Sequence, residues 1–198
     1  MVYIEPSKKG GPMNNCNYLI RRKVLSFLGA KFHIFDNAGN PVGFCRQKAF
    51  KLKEDIRVYS DESQCQELLT ILARNIIDFS ACYDVFDPAS GMLLGSWVRK
   101  GWSSIVRDNW VLLDPAGNRI AELKEDDLAL AVIRRFLCTL IPQSYTLHGY
   151  YGLQAEYKQC FNPFVFKLKV GITPGCSIHP YLILAGGILL AAIEGRQN

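Results

Sequence analysis

Histidine is scarce and scattered: three residues in 198, at His33, His148 and His179. No HExxH pair is present to hold a catalytic zinc, and no phosphate loop or dinucleotide fingerprint occurs. A Gly-x-Ser-x-Gly nucleophile elbow is missing too. The seven cysteines are odd in number, and no two lie within four residues of each other. That spacing excludes the CxxC pairs of zinc ribbons and thiol redox centres. The acids Glu125, Asp126 and Asp127 are too tightly packed for a calcium loop, which needs oxygen ligands spaced around a turn. The expectation is therefore a non-enzymatic protein without metal or cofactor.

Long hydrophobic runs are also lacking. Val170 to Ile193 carries no Lys, Arg, Asp or Glu, but its dense part is only Tyr181 to Ile193. As a helix that stretch spans about 20 Å, against about 30 Å for a hydrocarbon core. Lengthening it would draw in Gly171, Pro174, Gly175 and Pro180, which belong in a loop. No transmembrane span is expected. Met1 to Asn15 has no apolar core of the kind a signal peptide carries. Unpaired cysteines and no leader predict a cytoplasmic protein with free, mostly buried thiols.

What is present is a folding composition: 49% hydrophobic, 12% aromatic and 21% charged, well away from that of disordered chains. The segment 1–13, with Ser7, Lys8, Lys9, Gly10 and Gly11, reads as a flexible tail, and 14–198 as one domain.

One unit recurs three times. Phe32-His33-Ile34-Phe35-Asp36 is followed by Ala38-Gly39 and Val42-Gly43. Tyr83 to Asp87 is followed by Gly91 and Leu94-Gly95, and Trp110 to Asp114 by Ala116-Gly117 and Ile120-Ala121. An aromatic and β-branched run, a turn-capping Asp, a Gly free to take positive φ and a second apolar run together make a β-hairpin. Further strands are predicted at 17–23, 47–53, 56–59, 145–150, 152–157 and 163–172. The stretch 64–79 fits either a helix or strands, with strands preferred.

A helix is predicted over about 126–140, with acids at its start, Arg134 and Arg135 toward its end and Pro142 beyond. A second helix starts at Pro180 and stops near Gly195, with His179 placed to cap it. This last helix is apolar on every side and needs walls all round. A closed antiparallel β-barrel threaded by it supplies those walls and removes free sheet edges. The fold class is thus mainly β.

Tyr18-Leu19-Ile20-Arg21-Arg22-Lys23 leading into Phe32-x-Ile34-Phe35-Asp36-x-x-Gly39-x-x-Val42 resembles the opening of LURP-one-related proteins. So do Phe79 to Val85 and Trp110-x-Leu112-Leu113-Asp114, and Leu184 to Gln197 resembles that family's closing helix. The resemblance spans about residues 16–197. It implies a twelve-stranded barrel around a central hydrophobic helix, as in Tubby C-terminal domains and phospholipid scramblases. Tubby domains bind phosphoinositides through basic surface side chains, and scramblases handle lipid. The Tubby basic residues do not align with this chain position by position. The scramblases' proline-rich tail, lipidation cysteines and calcium loop are missing.

Net charge is +5, from 23 bases against 18 acids. That dilution argues against nucleic acid as the partner. The segment Trp97 to Trp110 holds all three tryptophans, interleaved with Arg99, Lys100 and Arg107. Guanidinium grips phosphate bidentately, ammonium adds a point charge, and Trp favours a membrane interface. Arg99, Lys100, Arg107 and Trp102 are therefore the candidate ligand-binding residues, for an anionic lipid surface met peripherally or a phosphorylated small ligand. The competing reading packs the tryptophans into the barrel and leaves the charges on a solvated hairpin. Smaller basic clusters stand at Arg21-Arg22-Lys23, at Arg46, Lys48, Lys51 and Lys53, and at Arg134-Arg135. The alternative function is a scaffold that presents a barrel face to a protein partner, or scramblase-related lipid handling as the resemblance implies.

Overall fold

A computed structural model describes residues 17–23, 30–47, 55–77, 80–99, 109–125, 142–160, 162 and 165–193. Twelve strands form one closed antiparallel barrel, each bonded to its neighbours in sequence and β1 closing onto β12. The strands are β1 (Asn17–Lys23), β2 (Ala30–Phe35), β3 (Pro41–Gln47), β4 (Ile56–Tyr59), β5 (Glu67–Ile77) and β6 (Ser80–Asp87). They continue as β7 (Met92–Arg99), β8 (Asn109–Leu113), β9 (Arg119–Glu125), β10 (Ser144–Gly149), β11 (Gly152–Cys160) and β12 (Val165–Ile172). The helix α1 (Pro180–Ile193) follows. The expected fold class is what is found.

The three repeated units are the hairpins β2–β3, β6–β7 and β8–β9. In the first and third, Asp36 and Asp114 each accept hydrogen bonds from the backbone and side-chain amides of Asn40 and Asn118, at 2.7–3.0 Å. Gly39 and Gly117 take φ +84 and +87 there, a conformation that costs a Cβ-bearing residue strain. The stretch 67–77 is strand, β5. The predicted strand 47–53 overlaps the described residues only at Gln47, the end of β3. The tail 1–13 and the predicted helix 126–140 lie outside the described residues.

Inward positions alternate along each strand, as the pleat requires. Tyr18, Ile20, Phe32, Ile34, Trp97, Leu112, Leu123, Tyr157 and Leu168 are all 3% exposed or less, and so are Leu182, Ile183, Ile188 and Leu189 of α1. Each such Leu or Ile side chain contributes roughly 2 kcal/mol of burial. At Gly186 and Gly187 a Cβ would stand 2.7 Å from Trp97 Cζ2 and 2.8 Å from Ile20 Cδ1. The missing side chains let the wall reach the helix backbone. Trp97 Nε1–H donates to Leu182 O and the Tyr157 hydroxyl donates to Ile183 O, both at 2.9 Å.

The helix gives the barrel two poles. At the entry pole, the β2–β3, β4–β5, β6–β7, β8–β9 and β10–β11 hairpins turn. At the exit pole, Arg22 Nη1 donates to Ala191 O at 3.4 Å, a cation beside the negative end of the helix dipole. No described helix is long and apolar enough to cross a membrane.

Candidate functional site

The segment Trp97 to Trp110 divides between the barrel interior and residues outside the described set. Trp97 is wholly buried against α1. Trp110, 1% exposed, packs on Tyr83 with ring centroids 6.0 Å apart. Arg99 pairs across the sheet with both Ala81 and Trp110, each buried. It therefore shares the inward face of β7 with Trp97, and its guanidinium lies 5.9 Å from the Trp110 ring, a cation–π contact. Lys100, Trp102 and Arg107 fall outside the described residues. Two of the three tryptophans are thus core residues, as the packing reading expected for them.

The described structure gathers positive charge elsewhere. On the outer wall, the strands β11, β12, β1 and β2 line a groove of about 600 Å³. That is within the size range of ligand clefts. Arg21, Lys158, Lys167 and Lys169 line it, with Glu156 and Asp36 as its acids. Register explains the gathering. Arg21 stands directly opposite Lys167 across β1–β12, and Lys158 directly opposite Lys169 across β11–β12. Tyr18, Ile20, Leu168 and Val170 point inward, so the period-two pleat sends Arg21, Lys167 and Lys169 outward. Lys158 pairs with Glu156 at 2.7 Å. Arg21, Lys167 and Lys169 make no ion pair with any described residue. Directly opposed like charges destabilise a sheet by a few tenths to about 1 kcal/mol per pair. The fold gains nothing from this arrangement; a bound anion would.

At one rim of the groove, Asp36 is held below the usual carboxylate range by its hydrogen bonds from Asn40, so that rim carries a negative charge. In the sequence Arg21 falls in one basic cluster, and Lys167 and Lys169 in the separate predicted strand 163–172. Only the β1–β12 register joins them.

Of the five described cysteines only Cys45 is buried; Cys65 is exposed and Cys82, Cys160 and Cys176 are half-buried, where the sequence predicts mostly buried thiols. Burial pushes the Cys45 thiol up to about 12. It also raises Cys82, against the opposing pull of Arg74. Arg74 itself forks onto Asp84, with Nε to Oδ2 at 2.7 Å and Nη2 to Oδ1 at 2.5 Å, and Ser96 Oγ donates to the same carboxylate at 2.6 Å. These contacts tie β5, β6 and β7 together on the outer wall.

A smaller cavity of about 430 Å³ opens at the entry pole between Arg119, Ile120, His148, Tyr150, Tyr151 and Ile178. Beside it Gln154, 2% exposed, accepts from Ser177 N at 2.9 Å and fixes the loop that feeds α1 into the barrel. His179 Nδ1 accepts from Tyr181 N at 3.2 Å. It caps the helix as the sequence predicted; the residue is exposed, and partial desolvation of its ring lowers its proton affinity. His33 and His148 stand in β2 and β10.

Comparison with protein-family models, with curated proteins and with solved structures finds no match to this chain.

Proposed function

We propose that this protein is a non-enzymatic binding module for a phosphate-bearing anion. A phospholipid headgroup and a soluble phosphorylated small molecule both present that chemistry. The observation that carries the reading is the pairing of Arg21 with Lys167 and of Lys158 with Lys169 on one outer wall. Arg21 supplies a planar fork that matches two phosphate oxygens, and the lysines supply mobile point charges around it. Kinship with LURP-one-related proteins, carried by the motifs between residues 16 and 197, belongs to the same proposal.

Lys167→Gln with Lys169→Gln tests it. Near an anionic surface each cation is worth about 1 kcal/mol, so the double variant should bind anionic vesicles, or soluble pyrophosphate, roughly tenfold or more weakly. Without ligand, the same variant should unfold at equal or slightly higher denaturant concentration, because two like-charge oppositions are gone. Equal anion binding by variant and parent would refute the assignment.

A further inference from the structure

We propose that the barrel meets a lipid bilayer surface at the corner formed by the β10–β11 hairpin tip, with Tyr150 and Tyr151 entering the headgroup layer. This rests on the anion-binding reading and names the source of the phosphate as a membrane. Among the described residues the exposed large hydrophobics are Met92, Tyr150 and Tyr151, and the two tyrosines are 92% and 78% exposed. Their rings meet edge to face, with centroids 5.1 Å apart. Nothing in the turn demands aromatics. Gly152 supplies the positive φ at +93, and small polar residues suit the two preceding positions better. Tyrosine does suit a membrane boundary, where the ring is half in lipid and the hydroxyl stays wet.

Charge singles out this tip among its neighbours. Of the five hairpin tips at the entry pole, four carry acids: Asp36, then Asp61 with Glu62, then Asp87, then Asp114. Asp36, Asp61 and Asp114 are each held ionised by side-chain and backbone hydrogen bonds from Asn40, Ser63 and Asn118 respectively. An anionic surface repels all four. The fifth tip, Gly149-Tyr150-Tyr151-Gly152, carries no charge. It also leads into the basic wall. β11 runs from this tip to Lys158, seven residues past Tyr151 and about 23 Å along an extended strand. A plane laid along that wall meets the cations at one end and the tyrosines at the other.

The test is flotation of the full chain with phosphatidylcholine vesicles, with or without phosphatidylserine, comparing the parent with Tyr150→Ser plus Tyr151→Ser. Both side chains are exposed, so the variant should keep the parent's circular dichroism and unfolding midpoint. Expected is capture of the parent by the phosphatidylserine vesicles and roughly tenfold weaker capture of the variant, the loss of two aromatic rings from the interface. The salt dependence should be unchanged, since no charge is altered. In the Tyr151→Trp variant, brominated lipid should quench a larger share of the fluorescence than it does in the parent. Equal capture of parent and double variant would overturn the tyrosine corner and leave the basic groove standing. Binding of soluble pyrophosphate without binding of any vesicle would also overturn the corner. No binding of either probe would overturn both proposals.

Discussion

At the scale of single residues, close approach and capping set the sharpest constraints. Gly186 faces the Trp97 ring where a Cβ would stand 2.7 Å away. A larger residue gains about 1 kcal/mol of helix propensity at best, while overpacking a rigid aromatic wall costs about 1–3 kcal/mol. Gly186→Val, which combines crowding with β-branching, should lower stability by ~2–3 kcal/mol in a denaturant titration. His179 gives a pH prediction. Partial desolvation of its ring lowers its folded-state affinity for protons below the ordinary value of 6.5, with Asp87 opposing. The unfolded chain then binds the proton more tightly. The stability that neutral His179 contributes is complete above 6.5 and is lost as pH falls below it. His179→Asn, which keeps an acceptor for Tyr181 N–H, should flatten the fall in unfolding midpoint on acidification. An unchanged pH profile would remove His179 from that role.

At the scale of elements, α1 is the core of the molecule rather than an appendage to it. Leu189 is 1% exposed inside the barrel. Leu189→Asp would bury an unpaired carboxylate or force its protonation, and either costs several kcal/mol. The variant should lose cooperative unfolding and near-ultraviolet circular dichroism; a soluble, folded L189D would contradict the threaded barrel. This helix was legible in the sequence, because an apolar surface on every side admits few solutions and Pro180 marks its start. The hairpins were legible for a local reason: Asp and Gly at fixed offsets define each turn within one unit. The state of 64–79 was harder, since Leu68, Leu69, Ile71 and Leu72 suit either period. Pairing of β5 with both β4 and β6 decides it for 67–77, and that is tertiary information.

At the scale of the whole molecule, the proposed anion site follows from which strands the closed barrel makes neighbours. β1 and β12 lie at opposite ends of the chain, yet Arg21 is set directly against Lys167. Period-two alternation reveals that both point outward, but no local pattern reveals that they meet. In the tryptophan-rich segment Trp97 and Trp110 serve the packing of α1 and Tyr83, while Lys100, Trp102 and Arg107 lie outside the described residues. A lone pair of exposed tyrosines at Tyr150 and Tyr151 likewise gains meaning only once the other tips of the same pole are known to be acidic. The most direct test of the central claim, an anion site on the β11–β12–β1 wall, is capture of the purified protein by neutral and by anionic vesicles at low and high salt. The groove predicts capture by anionic vesicles alone, falling steeply as the screening length shrinks from about 10 Å at 0.1 M to about 3 Å at 1 M salt, and weakened in Lys167→Gln/Lys169→Gln. Capture that ignores lipid charge and salt, or that survives the double substitution, would contradict it.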